Sequence, residues 1–122
     1  MPKAARNFQR LLKTIKKRAD FLAAAKSGLK RGTNSFNLQA NPNNLEESRV
    51  GYTVSKHVSK LAVVRNRIKR RLKAAVKENE AHFPTGYDFV FIGKIDAEER
   101  NFELLKGDIK YALKKIFTDK TL

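Results

Sequence analysis

The 122-residue chain contains no cysteine, so no disulfide framework can hold it. That removes any argument for an oxidising compartment and fits a reducing cytosol. No run approaches the roughly 18 consecutive apolar residues of a membrane span. The N-terminus, MPKAARNFQRLLKTIKK, is basic but lacks the apolar stretch and small-residue cleavage site of a secretory signal; an organellar address is the competing reading. Motifs of protein-borne catalysis are missing as well, with no nucleophile elbow, phosphate-binding loop or dinucleotide fingerprint. His57 and His82 are far apart in sequence and show no H-x-x-x-H spacing, which argues against a zinc site. The acids lie mostly in the last third, in loops or among lysines, short of the converging carboxylates that a metal-dependent nuclease needs.

Negative charge is the scarcest commodity in the first two thirds. Residues 1–77 hold twenty cations and three acids (Asp20, Glu46 and Glu47), whereas residues 78–122 hold seven cations and nine acids. The chain as a whole carries a formal +15. Self-repulsion of that size in one part of a small domain points to a polyanionic partner. A merely soluble surface would intersperse the signs, as the C-terminal third does. Nucleic acid is the expected partner, with an anionic membrane surface or a small-molecule substrate disfavoured.

The length fits a single domain, residues 1–122, with residues 1–15 as a basic and flexible N-terminal segment. A first helix is expected over about Lys16–Ser27, stopped by Gly28. Alternation at Asn34–Ala40 and Ser48–Ser55 predicts two strands around the turn cluster Asn41-Pro42-Asn43-Asn44. A long helix follows over about Leu61–Glu80, then a break at Pro84-Thr85-Gly86 and a third strand at Tyr87–Ile92. The last helix, about Asn101–Phe117, places Phe102, Leu105, Ile109, Leu113 and Ile116 at helical spacing, as a core face. Helices interspersed with a few strands indicate an α+β, two-layer domain.

The most informative stretch is LAVVRNRIKRRLKAAVK, Leu61–Lys77, with seven cations and no acid. At about 100° per residue, Leu61, Val64, Ile68, Leu72, Ala75 and Val76 form one buried stripe. Arg65, Lys69 and Lys73 make a row on one flank, Arg67 and Arg71 a row on the other, and Arg70 and Lys77 point outward. A solvated helix gains from opposite charges four residues apart, but here those pairs repel by a few tenths of a kcal/mol each. A nucleic-acid backbone offsets such repulsion through counterion release. Arginine suits bidentate phosphate recognition, and the outward Asn66 suits a base edge or ribose hydroxyl. Single strands also need aromatic faces. Phe21 is the candidate, projecting away from an inner helix face of Ala19, Leu22 and Ala23. Phe36 is a strand residue that serves either a core or a groove, and Tyr52 and Phe89 read as core.

The segment RVGYTVSKHVSKLAVVRNRIKRRLKAAVKE, Arg49–Glu78, resembles the signature of the bacterial ribonuclease P proteins, centred on Arg65-Asn66-Arg67 and Ile68-Lys69-Arg70-Arg71-Leu72. The basic N-terminus, Lys17–Phe21, Gly28, GYDFVFIGK at 86–94 and the final amphipathic helix agree, so the resemblance covers about residues 10–117. It implies an α+β sandwich of the ribosomal-protein type with a left-handed β-α-β crossover, a hand that general rules would not suggest. It also implies a cytoplasmic, non-catalytic subunit whose RNA partner, ribonuclease P RNA, removes the 5′ leader of precursor tRNA. The Mg²⁺ that this needs belongs to the RNA-containing holoenzyme, and the protein alone binds no cofactor. On that resemblance Arg65, Asn66, Arg67, Arg70 and Arg71 meet the RNA subunit, while Phe21, Phe36, Lys56, Lys69 and Lys73 line a cleft for the leader. Two departures stand out. Ser59-Lys60-Leu61 replaces the family's Gly-Asn pair with one extra residue, and Ala25 and Gln39 stand where some relatives carry aromatics. The competing functions are a ribosome-associated rRNA-binding protein and an architectural DNA-binding protein.

Overall fold

The computed structural model describes residues 12–119; most of the expected flexible N-terminal segment lies outside them. Five strands form one mixed sheet: β1 (Leu12–Thr14), β2 (Leu29–Gly32), β3 (Phe36–Pro42), β4 (Ser48–Thr53) and β5 (Tyr87–Gly93), in the order β1-β4-β5-β3-β2. Three helices complete it: α1 (Arg18–Lys26), α2 (Ala62–Glu78) and α3 (Phe102–Asp119). Strands β4 and β5 are parallel neighbours joined by α2, so the basic helix is the crossover of a β-α-β unit. Strands β1 and β2 were not expected. Each is three or four residues long and carries a lysine, too short and too polar for alternation to register.

The two sheet faces differ sharply. Register puts Leu38, Phe91 and Tyr52 side by side on one face, and Gln39, Val90 and Gly51 on the other. The first face meets α2 and α3 and makes the main core, where Phe36, Leu38, Phe89, Phe91, Ile68, Leu72, Leu105 and Ile109 are fully buried. In α2 the expected stripe holds at Ile68, Leu72, Ala75 and Val76, with Val64 partly buried. Leu61 is the exception at 62 % exposure, because it precedes the first turn in an extended conformation. Gly93 lets α2 sit close: a Cβ there would lie 2.7 Å from Ile68 Cγ2. Helix α3 starts at Asn101, whose Oδ1 accepts the amides of Glu103 and Leu104 at 2.9 and 3.3 Å.

Among the described residues, α1 is the one helix packed on the second face. Its inward residues are Phe21 and Ala24, three apart, packed with Ile15, Val90 and Ile92. This corrects the expected inner face: Ala19 and Ala23 are exposed and Leu22 is 50 % exposed. The ring of Phe21 rests on Gly51, where a Cβ would lie 2.5 Å from two ring carbons.

Candidate nucleic-acid interface

Helix α2 rises from the Ser59-Lys60-Leu61 turn. The Ser59 hydroxyl accepts the Leu61 amide at 3.2 Å, and Arg65 Nη1 donates to the Ser59 carbonyl at 2.9 Å. Arg65 itself thus closes the turn that leads into the helix. No side chain caps the first turn of α2 and no acid lies in it, so the positive end of its dipole adds to the Arg65-Asn66-Arg67 potential.

The two flanking rows behave differently. On one side Arg67 Nη1 meets Glu98 Oε2 at 2.6 Å. Below it Arg71 donates to the carbonyl of Ala97 at 2.6 Å and to that of Arg100. The resemblance gives Arg71 to the RNA subunit; in the fold its planar fork spans these two carbonyls and holds the Ile95–Arg100 turn against α2. Across the helix, Lys73 Nζ stands 5.8 Å from the centre of the Tyr52 ring. Outward, the side chains of Asn66, Lys69, Arg70 and Lys77 have no hydrogen bond or ion pair with any described residue, and neither does that of Lys56 in the loop after β4. This leaves an uncompensated cationic stripe on α2.

A cleft of about 500 Å³ opens on the α1 side of the sheet. Phe21 and Ala25 form one wall, Gln39, Val90 and Ile92 the floor, and Lys16 and Arg18 bring charge to its rim. Tyr52 borders this cleft and also a smaller depression that Lys73 and Lys77 line. Burial, with a smaller push from Glu80, raises the Tyr52 phenol well above its ordinary value. The ring stacks on Phe91 at 5.8 Å. Helix α1 is tied down by Arg49, which pairs with Asp88 at 2.6 Å and reaches Asp20 at 3.4 Å. Its hydrogen bonds to Asp88 are the main reason its guanidinium is raised above the ordinary value, against the opposing effect of burial.

Of the residues assigned to the cleft, Phe21 lines it and Lys73 stands nearby over Tyr52; Lys56 and Lys69 line none of these hollows. Phe36 does not belong there. It is fully buried on the opposite sheet face, edge-on to Phe91 at 5.1 Å. Its first-of-strand position fixed its side, and that side is core. Sequence reading missed Lys16, Arg18 and Thr53, all at the cleft, whereas Ala25 and Gln39, noted for the aromatics that relatives carry there, do line it. Alternation along β4 carried the signal, since Gly51 and Thr53 share the face opposite Val50 and Tyr52. A glycine there marks a close approach by something lying on the sheet. Among the described residues no three His, Asp or Glu side chains are grouped to hold a metal ion. No helix among them is long and apolar enough to cross a membrane.

The ribonuclease P family profile matches residues 9–117. The chain belongs to the ribonuclease P protein family. The ribonuclease P protein component of Gluconacetobacter diazotrophicus is 42% identical over 103 residues, covering 83% of this chain and 88% of that protein. That of Paramagnetospirillum magneticum is 41% identical, with 86% and 83% covered. Among solved structures, the RNase P protein from Thermotoga maritima superposes with a TM-score of 0.74 at 26% identity, covering 85% of this chain and 97% of that one. The Staphylococcus aureus RNase P protein gives 0.71 at 29% identity, covering 85% and 96%. Family membership associates the chain with a tRNA-processing endoribonuclease complex and implies ribonuclease P RNA as partner. The α+β sandwich expected from the resemblance is the fold that these relatives share.

Proposed function

We propose that this ribonuclease P protein is the non-catalytic, RNA-binding subunit of the complex. It binds the catalytic RNA through the open face of α2 and the 5′ leader of precursor tRNA through the cleft beneath α1. The observation that carries this reading is the uncompensated stripe of Asn66, Lys69, Arg70 and Lys77, together with a cleft that pairs an aromatic ring with the cations of Lys16 and Arg18. The stripe recruits phosphates, and each neutralised phosphate releases counterions. The cleft takes unpaired nucleotides, with bases against Phe21 and the backbone against its basic rim. Among the described residues Phe21 and Tyr52 are its aromatic surfaces, and Ala25 and Gln39 stand where further rings would extend them. Leader binding accordingly leans on charge.

The Mg²⁺ of the reaction sits with the RNA in this reading, and the protein's part is to lower the repulsion between two polyanions. The cysteine-free, cationic composition fits a cytoplasmic site of action. Holoenzyme reconstituted with this protein should bind precursor tRNA more tightly than mature tRNA, with Phe21→Ala removing most of that difference. Equal affinity for leader-bearing and leaderless tRNA would contradict the cleft assignment.

A further inference from the structure

In sequence the C-terminal third looks nearly balanced, but the fold pairs five of its nine acids with cations away from one groove. Asp88 faces Arg49 at 2.6 Å, Glu98 faces Arg67 at 2.6 Å, and Asp108 and Asp96 share Arg100 at 2.6 and 3.6 Å. Glu103 pairs with Lys106 at 3.1 Å. What remains on the far side of the sheet from the cleft is a groove of about 740 Å³, between the second half of α3 and the Ala81–Tyr87 segment. Among the described residues no carboxylate lines it; Lys110 and Lys114 do. Both are exposed, four residues apart on α3, and neither has a partner among the described residues. This is the same self-repelling spacing that marks α2.

The groove is also aromatic. Tyr87 and Phe117 meet edge to face at 5.0 Å and are both partly exposed, Leu113 lies buried at 4 %, and His82 stands exposed at the rim. We infer that this groove is a second RNA contact, holding a short unpaired segment of the ribonuclease P RNA. Lys110 and Lys114 take its phosphates, and a base packs against Phe117 and Tyr87. Flat rings beside paired lysines match both parts of a nucleotide, whereas an acidic peptide would match the lysines alone. The size suits one or two nucleotides, as ligand pockets span about 300–1,000 Å³. The inference rests on the RNA-binding reading above and extends the RNA-subunit interface from α2 to α3, on the sheet side away from the leader cleft.

The test uses the full chain and ribonuclease P RNA, with affinity measured across a salt series. The double variant Lys110→Ala/Lys114→Ala changes only exposed side chains, so the fold should survive. Its log–log salt slope should fall by about 1.4, two single-strand phosphates' worth. In parallel, a short oligouridylate titrated into isotope-labelled protein should shift the backbone amides of Leu113, Lys114 and Phe117. An unchanged slope in the double variant, while Arg70→Ala lowers it, would overturn the groove and leave the α2 interface standing. Amide shifts confined to α2 and the α1 cleft would do the same. If the unaltered protein fails to bind the RNA at all, the RNA-subunit reading falls first and the groove with it.

Discussion

Replacing Gly51 by alanine should act on Phe21, and the size of the effect can be worked from the contact. A Cβ at residue 51 would lie 2.5 Å from two carbons of the Phe21 ring and 3.3 Å from Ile15 Cβ. Ordinary carbon contacts are about 3.5–4.0 Å, so the ring must retreat by about 1 Å or carry α1 with it. Glycine to alanine in a strand would otherwise gain roughly 0.5–1 kcal/mol, whereas overpacking costs about 1–3 kcal/mol. Gly51→Ala should therefore lose about 1 kcal/mol net in urea unfolding, with an unchanged m-value. It should also weaken binding of leader-bearing tRNA, because the displaced ring borders the cleft. In a Phe21→Ala background the obstacle is gone and only the Ile15 contact remains, so the same substitution should turn neutral or stabilising. A coupling of about 1–2 kcal/mol is expected, within the range for residues in contact. Additive effects of the two substitutions would refute the seat of Phe21 on Gly51.

Three further outcomes follow from the same geometry. Arg70→Ala should lower the salt slope of RNA binding by about 0.7–0.9 without changing stability. Arg71→Lys should do the reverse, losing about 1–2 kcal/mol as one of two carbonyls goes unpaired; parallel unfolding and binding curves separate them. Phe36→Ala should cost about 3–5 kcal/mol as a core cavity, and a stable variant selectively defective in leader binding would return Phe36 to the site. Tyr52 should resist ionisation in the folded protein, visible in an ultraviolet pH titration as a smaller amplitude than that of the unfolded chain. Because its folded value is raised, its contribution to stability is complete below about pH 10 and is lost as pH climbs above that. Stability that rises over that range in the wild type but not in Tyr52→Phe would contradict the burial argument.

Much of the architecture was legible because its signals are long and periodic. The seventeen residues of α2 carry four buried positions at helical spacing, and their limits fall within two residues of those expected. Helix α3 and strands β3, β4 and β5 followed equally from pattern, and Asn44, with φ 60°, sits in the turn after β3, although Asn41 and Pro42 of the expected turn cluster still pair with β5. The failures are local and physical. Helix α1 is nine residues long with an alanine-rich middle, so no apolar stripe marks its inner side, and tertiary packing of Phe21 on Gly51 decides it. Strands β1 and β2 exist because β4 and β3 offer them a ladder, not because of their own composition. At the site, sequence located the cations but not their partners. Nothing local to Arg71 announces carbonyls twenty-six and twenty-nine residues away, and nothing in Lys110 and Lys114 shows that the nearby acids face other sides.

The most direct measurement is cleavage of a leader-bearing precursor tRNA by ribonuclease P RNA at low Mg²⁺, with and without this protein. Addition of the folded protein should raise kcat/KM, and the gain should shrink when Lys69 and Arg70 are both replaced by alanine. Cleavage that is the same with and without the protein, its fold verified in the same buffer, would contradict the RNA-subunit assignment.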